Sequence, residues 1–263
     1  FSMLENNYIS NKTSEMVKNR IMNKNYSEPD FHPLDYILGD KRKIQTKIHG
    51  LFTSFGGFWE VLSKELAAEN NFEILDNKHF KVPASAPNSQ KPALDAIITA
   101  RTDNTDEYNA ESSKQAIKDF CQYYVSNPCS EWNKPAPGTG VDIYLKKNST
   151  HYLFDTKTVK PNVSGIKSFL SQIHHWYWYS YSRYPLDDVE CKIIFPYTPY
   201  QTPFQDNIVG GGNPLSHIDE WIDPDNYWRL LTDNPQAYQA IIEGFQALNS
   251  DNELNSFIAN LIR

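Results

Sequence analysis

The chain has 263 residues, a formal net charge of −7 and 14% aromatic residues, a length sufficient to bury a full core. No run of 18 or more apolar residues occurs, which excludes an ordinary helical membrane span, and the opening NNYISNKTSEMVKNR is too polar for the apolar centre of a secretory leader. Cys121, Cys129 and Cys191 lack CxxC spacing, so buried free thiols in a cytoplasmic protein are expected rather than a disulfide framework or a zinc site.

Phe1 and Ser2 precede Met3 and read as an added remnant. Residues 4 to 26 are polar with weak helical spacing, and Ser27 to Pro33 reads as a loop, so 1–30 is expected to form an N-terminal arm. From about Lys41 to Asn70, apolar residues recur at steps of three and four, from Ile44, Ile48 and Leu51 through Trp59, Leu62 and Leu66. This predicts a helix, with Gly56-Gly57 as a point of kinking or close approach. Phe80 to Ile98 holds several prolines and is expected to form short strands, with Leu94 to Ala100 the best candidate. Ser112 or Ser113 is expected to cap a helix reaching about Ser126.

Asn127 to Gly140 then reads as a loop leading into two apolar runs, Val141-Asp142-Ile143-Tyr144-Leu145 and His151 to Lys157. A polar turn, Lys146 to Thr150, separates them, as in a β-hairpin. A long helix capped by Ser164 is expected to end near Tyr184-Pro185, followed by a buried strand from Lys192 to Tyr197. The stretch 198–224, rich in Pro, Gly and Asn, reads as a long functional loop, and Pro235 opens a helical pair over 235–263.

The hairpin carries the chemistry. Side chains alternate along a strand, so Asp155 and Lys157 project from one face, and Asp142 can reach the same level from the neighbouring strand. Two carboxylates beside an ammonium group suit Mg²⁺, which prefers a few carboxylates plus waters and phosphate oxygens. The proposed ligands are Asp142, Asp155 and the carbonyl of Thr156. Lys157 would orient the attacking water and offset charge on the phosphate. The plain alternative is an exposed hairpin with an ordinary Asp–Lys pair, which contributes little. Glu60 is the acid within the apolar helical stretch Ser54 to Glu60 and reads as a further catalytic residue or as a solvent-facing one. Lys41, Arg42, Lys43, Lys160 and Gln172 are candidate DNA contacts, although a net charge of −7 is awkward for a polyanion partner. Arg101, Arg183 and Arg229 are guanine-reading candidates by residue type alone. His174 and His175 are adjacent on a helix, about 100° apart, so aromatic packing is preferred over a shared ion.

The succession helix, hairpin, helix, strand matches the PD-D/ExK nuclease architecture, an α/β fold with a mixed central β-sheet flanked by helices and, here, extra helices at both termini. The chain also resembles the TdeIII-type type II restriction endonucleases. That resemblance rests on Phe31-His32-Pro33-Leu34, on Leu51-Phe52-Thr53-Ser54-Phe55-Gly56 through Glu60, on the hairpin end Asp155-Thr156-Lys157-Thr158-Val159-Lys160-Pro161-Asn162, and on Phe195-Pro196-Tyr197-Thr198-Pro199-Tyr200 followed by Asn226-Tyr227-Trp228. It implies Mg²⁺-dependent cleavage of double-stranded DNA at a short, roughly palindromic site of GGNCC type by a homodimer. The expected organisation is a single endonuclease domain over 1–263, with its catalytic core at about 41–200 and a DNA-recognition loop at 198–224. Two other readings compete: a structure-specific repair or recombination nuclease on the same core, and a non-catalytic DNA-binding protein. A glycosidase with paired carboxylates fits less well, because Lys157 beside the acid suits phosphate better than a sugar.

Overall fold

The computed structural model describes residues 4–26, 30–158, 160–200 and 202–261. Phe1 to Met3, Ser27 to Pro29 and Val159, all part of the readings above, lie outside the described residues. In chain order the elements are α1 (Asn6–Met22), α2 (Asp35–Leu38), α3 (Asp40–Glu69), β1 (Glu73–Leu75), β2 (Val82–Pro83), α4 (Gln90–Thr102), α5 (Ala110–Cys121), α6 (Tyr123–Ser126), β3 (Trp132–Asn133), β4 (Ile143–Lys147), β5 (Thr150–Thr156), α7 (Val163–Arg183), β6 (Asp188–Ile194), β7 (Trp221–Ile222), α8 (Pro224–Thr232), α9 (Ala237–Ala247) and α10 (Asn252–Leu261).

A mixed five-stranded sheet in the order β1-β4-β5-β6-β7 forms the centre. β1, β4 and β5 run antiparallel, and β5, β6 and β7 run parallel, with α7 as the crossover from β5 to β6. The two central strands are buried on both faces, so they read as nearly continuous apolar runs. Leu153 and Ile193 enter one core with Leu94, Ile117, Leu170 and Trp176, from the α4, α5 and α7 side. Phe154 and Ile194 enter the other with Ile9, Leu62, Leu66 and Trp228, from the α1, α3 and α8 side. β2 and β3 pair separately as a small antiparallel ribbon.

Several expectations are corrected. Leu94 to Ala100 is helix α4 rather than a strand. Its β-branched run Ile97-Ile98-Thr99 looks strand-like, yet Leu94, Ile97 and Arg101 are buried at helical spacing and Pro92 sits in the first turn, where its missing N–H costs nothing. The cap of α5 is Asn109, whose side chain accepts from the Ser112 N–H while Ser112 bonds back, so the serine is the third residue of a capping box. Asn162, not Ser164, caps α7 by accepting from Gly165 N–H at 2.7 Å. The strand expected at 192–197 begins four residues earlier and ends at Ile194. Within 198–224, Phe204, Ile208, Leu215 and Trp221 are buried and β7 joins the sheet, so much of this stretch serves the core.

The segment read as an arm is α1, which buries Ile9, Thr13, Val17 and Ile21 at steps of four. It packs on α9, where Gly244 permits the approach: a Cβ there would lie 2.6 Å from the Ser10 carbonyl oxygen and 2.8 Å from Thr13 Cβ. α3 runs unbroken through Gly56-Gly57. The missing side chain of Gly57 leaves room for the Arg20 guanidinium, which donates to Ser54 O at 2.5 Å.

If α1 is part of the fold, Gly244→Ala should destabilise the protein by about 1–3 kcal/mol through overpacking. Thermal unfolding checks this, and an unchanged midpoint would mean that α1 does not depend on this contact.

Candidate functional site

β4 and β5 pair with Ile143 opposite Phe154. Asp142 N–H donates to Phe154 O at 3.0 Å, which carries the pairing one residue past β4 and sets Asp142 beside Asp155. The Asp142 carboxylate is held in turn, its Oδ2 accepting from Thr156 N–H at 2.8 Å. Buried Val141 and Ile143 on either side fix this stretch in the core.

Asp155 is only 6% exposed. Burial pushes its pKa up to about 6; Lys157 works against the rise, and the neighbouring Asp142 carboxylate adds to it. The Lys157 ammonium lies 2.6 Å from Asp155 Oδ2 and 5.2 Å from the centre of the Phe169 ring on α7. The Lys157 N–H donates to Ile194 O at 2.9 Å, tying the end of β5 to β6. The pair is therefore embedded at the sheet end rather than loose on a solvent-exposed hairpin.

Glu60 is half-buried on α3, and the structure brings it toward the same place. Its pKa is raised chiefly by burial, then by the charge of Asp142, with Asp155 contributing further. A brace one turn along α3 sets this approach: Tyr227 of α8 donates to Ser63 Oγ at 2.7 Å, and Ser63 Oγ donates to Trp59 O at 2.7 Å. Tyr227 also packs edge-on against Phe154, ring centres 5.7 Å apart. No local pattern announces this brace, because Ser63 and Tyr227 are 164 positions apart.

Among the described residues no group of three or more His, Cys, Asp and Glu side chains stands ready to hold a metal ion. The donor set here is two adjacent carboxylates, with Glu60 near enough to feel their charge. Magnesium uses a few carboxylates completed by water and phosphate oxygens, so the chemistry of these donors fits that ion. Thr156 Oγ1 beside them is buried without a hydrogen-bond partner.

The other candidates separate by surroundings. Arg42 is spent on the turn before α3, pairing with Asp35 through Nε and Nη2 and donating from Nη2 to Asp30 O at 2.7 Å. Lys41 and Lys43 are exposed beside it. Lys160 is exposed, 4.6 Å from the centre of the Tyr200 ring. Gln172 is half-buried on α7 and lines a cleft against the 133–139 loop. Arg101 cannot read bases, since it is buried in an ion pair with Glu220. Arg183 donates to His79 O and stands 5.6 Å from the centre of the Trp132 ring, while Arg229 bonds to Asn226 Oδ1 at 3.1 Å. His174 is fully buried, bonded through Nδ1 to Leu170 O and pushed down to about 4 by that burial. His175 bonds separately to Ser171 O. A further, partly buried network, Tyr144–His151–Asp187, braces the other end of the hairpin.

Residues 4–249 match the family model described as type II restriction endonuclease, HinfI. The match carries the type II restriction endonuclease assignment; it is not to the narrower TdeIII type. No curated protein and no solved structure matches the chain.

The raised pKa of Asp155 has a measurable cost. The native state holds this proton more tightly than the unfolded chain, so the protein loses stability as pH rises from the ordinary 3.8 through about 6, and bears the whole cost at pH 7. Asp155→Asn should be more stable than wild type at pH 7 by roughly 1–3 kcal/mol, the gain disappearing below about pH 4. Denaturant titration across pH checks this; a variant less stable at pH 7 would contradict it.

Proposed function

The chain belongs to the HinfI family of type II restriction endonucleases, site-specific deoxyribonucleases, and from that premise we propose that Asp142, Asp155 and Lys157 form a PD-(D/E)xK active site cutting DNA with Mg²⁺. The observation that carries this reading is the buried Asp155 carboxylate beside the half-buried Asp142 carboxylate, with an ammonium 2.6 Å from Asp155, at the end of the central hairpin. Asp142, Asp155 and the main-chain carbonyl of Thr156 would hold the magnesium ion. When bound, magnesium polarises the scissile phosphate and lowers the pKa of a neighbouring water. Lys157 orients that water and offsets the charge that accumulates on the phosphate oxygens. Glu60, with its raised pKa, would accept a proton as water attacks.

The recognition sequence is read as a short palindromic duplex, with a GGNCC-type sequence as the narrower form suggested by the TdeIII-like segments. We read the chain as one endonuclease unit working in the cytoplasm, which fits three free cysteines. Among the described residues no helix is long and apolar enough to cross a membrane.

A homodimer follows from a symmetric site, each subunit cutting one strand. Apolar surface supports it: Tyr36, Ile37 and Phe52 are 85%, 78% and 73% exposed, and α3 buries nothing before Phe58. The double substitution Ile37→Glu with Phe52→Glu should yield a monomer by light scattering and turn double-strand cutting into nicking. A monomeric wild type would remove this part of the reading.

Unmethylated plasmid and phage DNA incubated with and without Mg²⁺ tests the central proposal. The expected result is a fixed band pattern whose ends map to one sequence, lost without metal and reduced at least 10²- to 10³-fold in Asp155→Ala and Lys157→Ala. Smears or cleavage confined to branched substrates would favour a structure-specific nuclease. A fixed pattern that persists in Asp155→Ala would place the chemistry elsewhere.

A further inference from the structure

A chain of net charge −7 that binds DNA must gather its cations, and it does so in three segments that contain no Asp or Glu. Residues 156–186 hold Lys157, Lys160, Lys167 and Arg183. Residues 132–141 hold Lys134, and residues 77–94 hold Lys78, Lys81 and Lys91. The fold brings all three together, since β2 pairs with β3 and both pack beside α7.

Where they meet lies a cleft of about 510 Å³ between α7 and the 133–139 loop, lined by no acidic residue. Ser168, Gln172, His175 and Tyr179 follow one another on α7 at steps of four, three and four, so they share one face. Lys134 and Thr139 stand across from them. The loop is anchored rather than loose: Trp176 Nε1 donates to Thr139 O at 2.9 Å. His175 Nδ1 donates to Ser171 O at 2.8 Å, which leaves Nε2 as an acceptor in the neutral ring. The Gln172 amide both donates and accepts, as base-edge recognition in the major groove requires. From Ser168 to Tyr179 the stripe runs roughly 16 Å at about 1.5 Å per residue. That covers about five base-pair steps of about 3.4 Å each. Its near end adjoins the candidate site, because Phe169, under the Lys157 ammonium, follows Ser168.

We propose that this cleft is the surface that reads the DNA duplex, with Gln172 and His175 contacting base edges and Lys134 a phosphate. The inference rests on the nuclease reading above and adds where sequence is read. Charge supports the duplex as the ligand: among the described residues Lys134, Lys160 and Lys167 make no ion pair, while Lys78 and Lys91 pair only with acids at the segment ends, Asp76 and Asp95.

The test compares kcat/KM on the mapped duplex and on duplexes with one changed base pair, for wild type, Gln172→Ala and Lys134→Ala, with thermal midpoints as the folding control. Gln172→Ala should lose about 10- to 100-fold on the mapped site and little on the altered ones, so that discrimination collapses. Lys134→Ala should weaken all duplexes alike and reduce the slope of log affinity against log salt by about one. If wild type cleaves and both variants keep its discrimination and its salt slope, the cleft is not the reading surface, while the nuclease assignment stands. If wild type cleaves no duplex, the functional reading fails first and this inference fails with it.

Discussion

Asp142 and Asp155 are two like charges held side by side, and burial already disfavours the ionised form of Asp155. Neither strand alone would hold them there; the register of the hairpin does, with Ile143 opposite Phe154 and the Asp142 N–H bonded to Phe154 O. Phe154 faces the core under α3 and α8 and Leu153 the one under α7, so a slip of one residue would invert every buried side chain of β5. The hydrophobic packing of the sheet thus fixes an electrostatic arrangement that is unfavourable when left to itself. The surrounding groups relieve part of the cost: Lys157 pairs with one carboxylate, and the Thr156 N–H donates to the other. The part left over is what a divalent cation would relieve on binding.

The same logic extends outward. α3 carries Glu60 toward the pair with Trp59, Leu62 and Leu66 packed in the core and with Tyr227 and Ser63 pinning that helix to the sheet across Phe154. α7 supplies Phe169 beneath the lysine, then continues as the outer stripe along the acid-free cleft. Asp142, Asp155 and Glu60 lie at the hairpin end while the neighbouring cleft is lined by no acid, so a net negative chain can still approach a polyanion, and its total charge is a poor guide to its partner.

Much of the centre was legible in the sequence. The hairpin, Asp142, Asp155 and Lys157 could be read because a charged pair inside an apolar strand stands out against alternation, and the long helix from residue 40 because its apolar period is regular. Leu94 to Ala100 misled because β-branched propensity is a weak signal beside the packing that made it α4. α1 was hidden by its polar exposed face, since four buried residues in 17 leave little visible pattern. α8 was missed because its signal, Asp223 capping ahead of Pro224, sits at the end of a segment whose prolines and glycines read as loop. Contacts between residues far apart in sequence, the Tyr227–Ser63 brace and the Arg101–Glu220 pair, leave no local trace.

If Asp142 and Asp155 together hold a divalent cation, either one alone is insufficient. Binding of Mn²⁺ as a magnesium surrogate, followed by electron paramagnetic resonance in wild type, Asp142→Asn and Asp155→Asn without any DNA, tests it apart from catalysis. Wild type should take up Mn²⁺, and either substitution should abolish the uptake. Equal binding in all three proteins would contradict it and place the metal, if one is used, away from the hairpin.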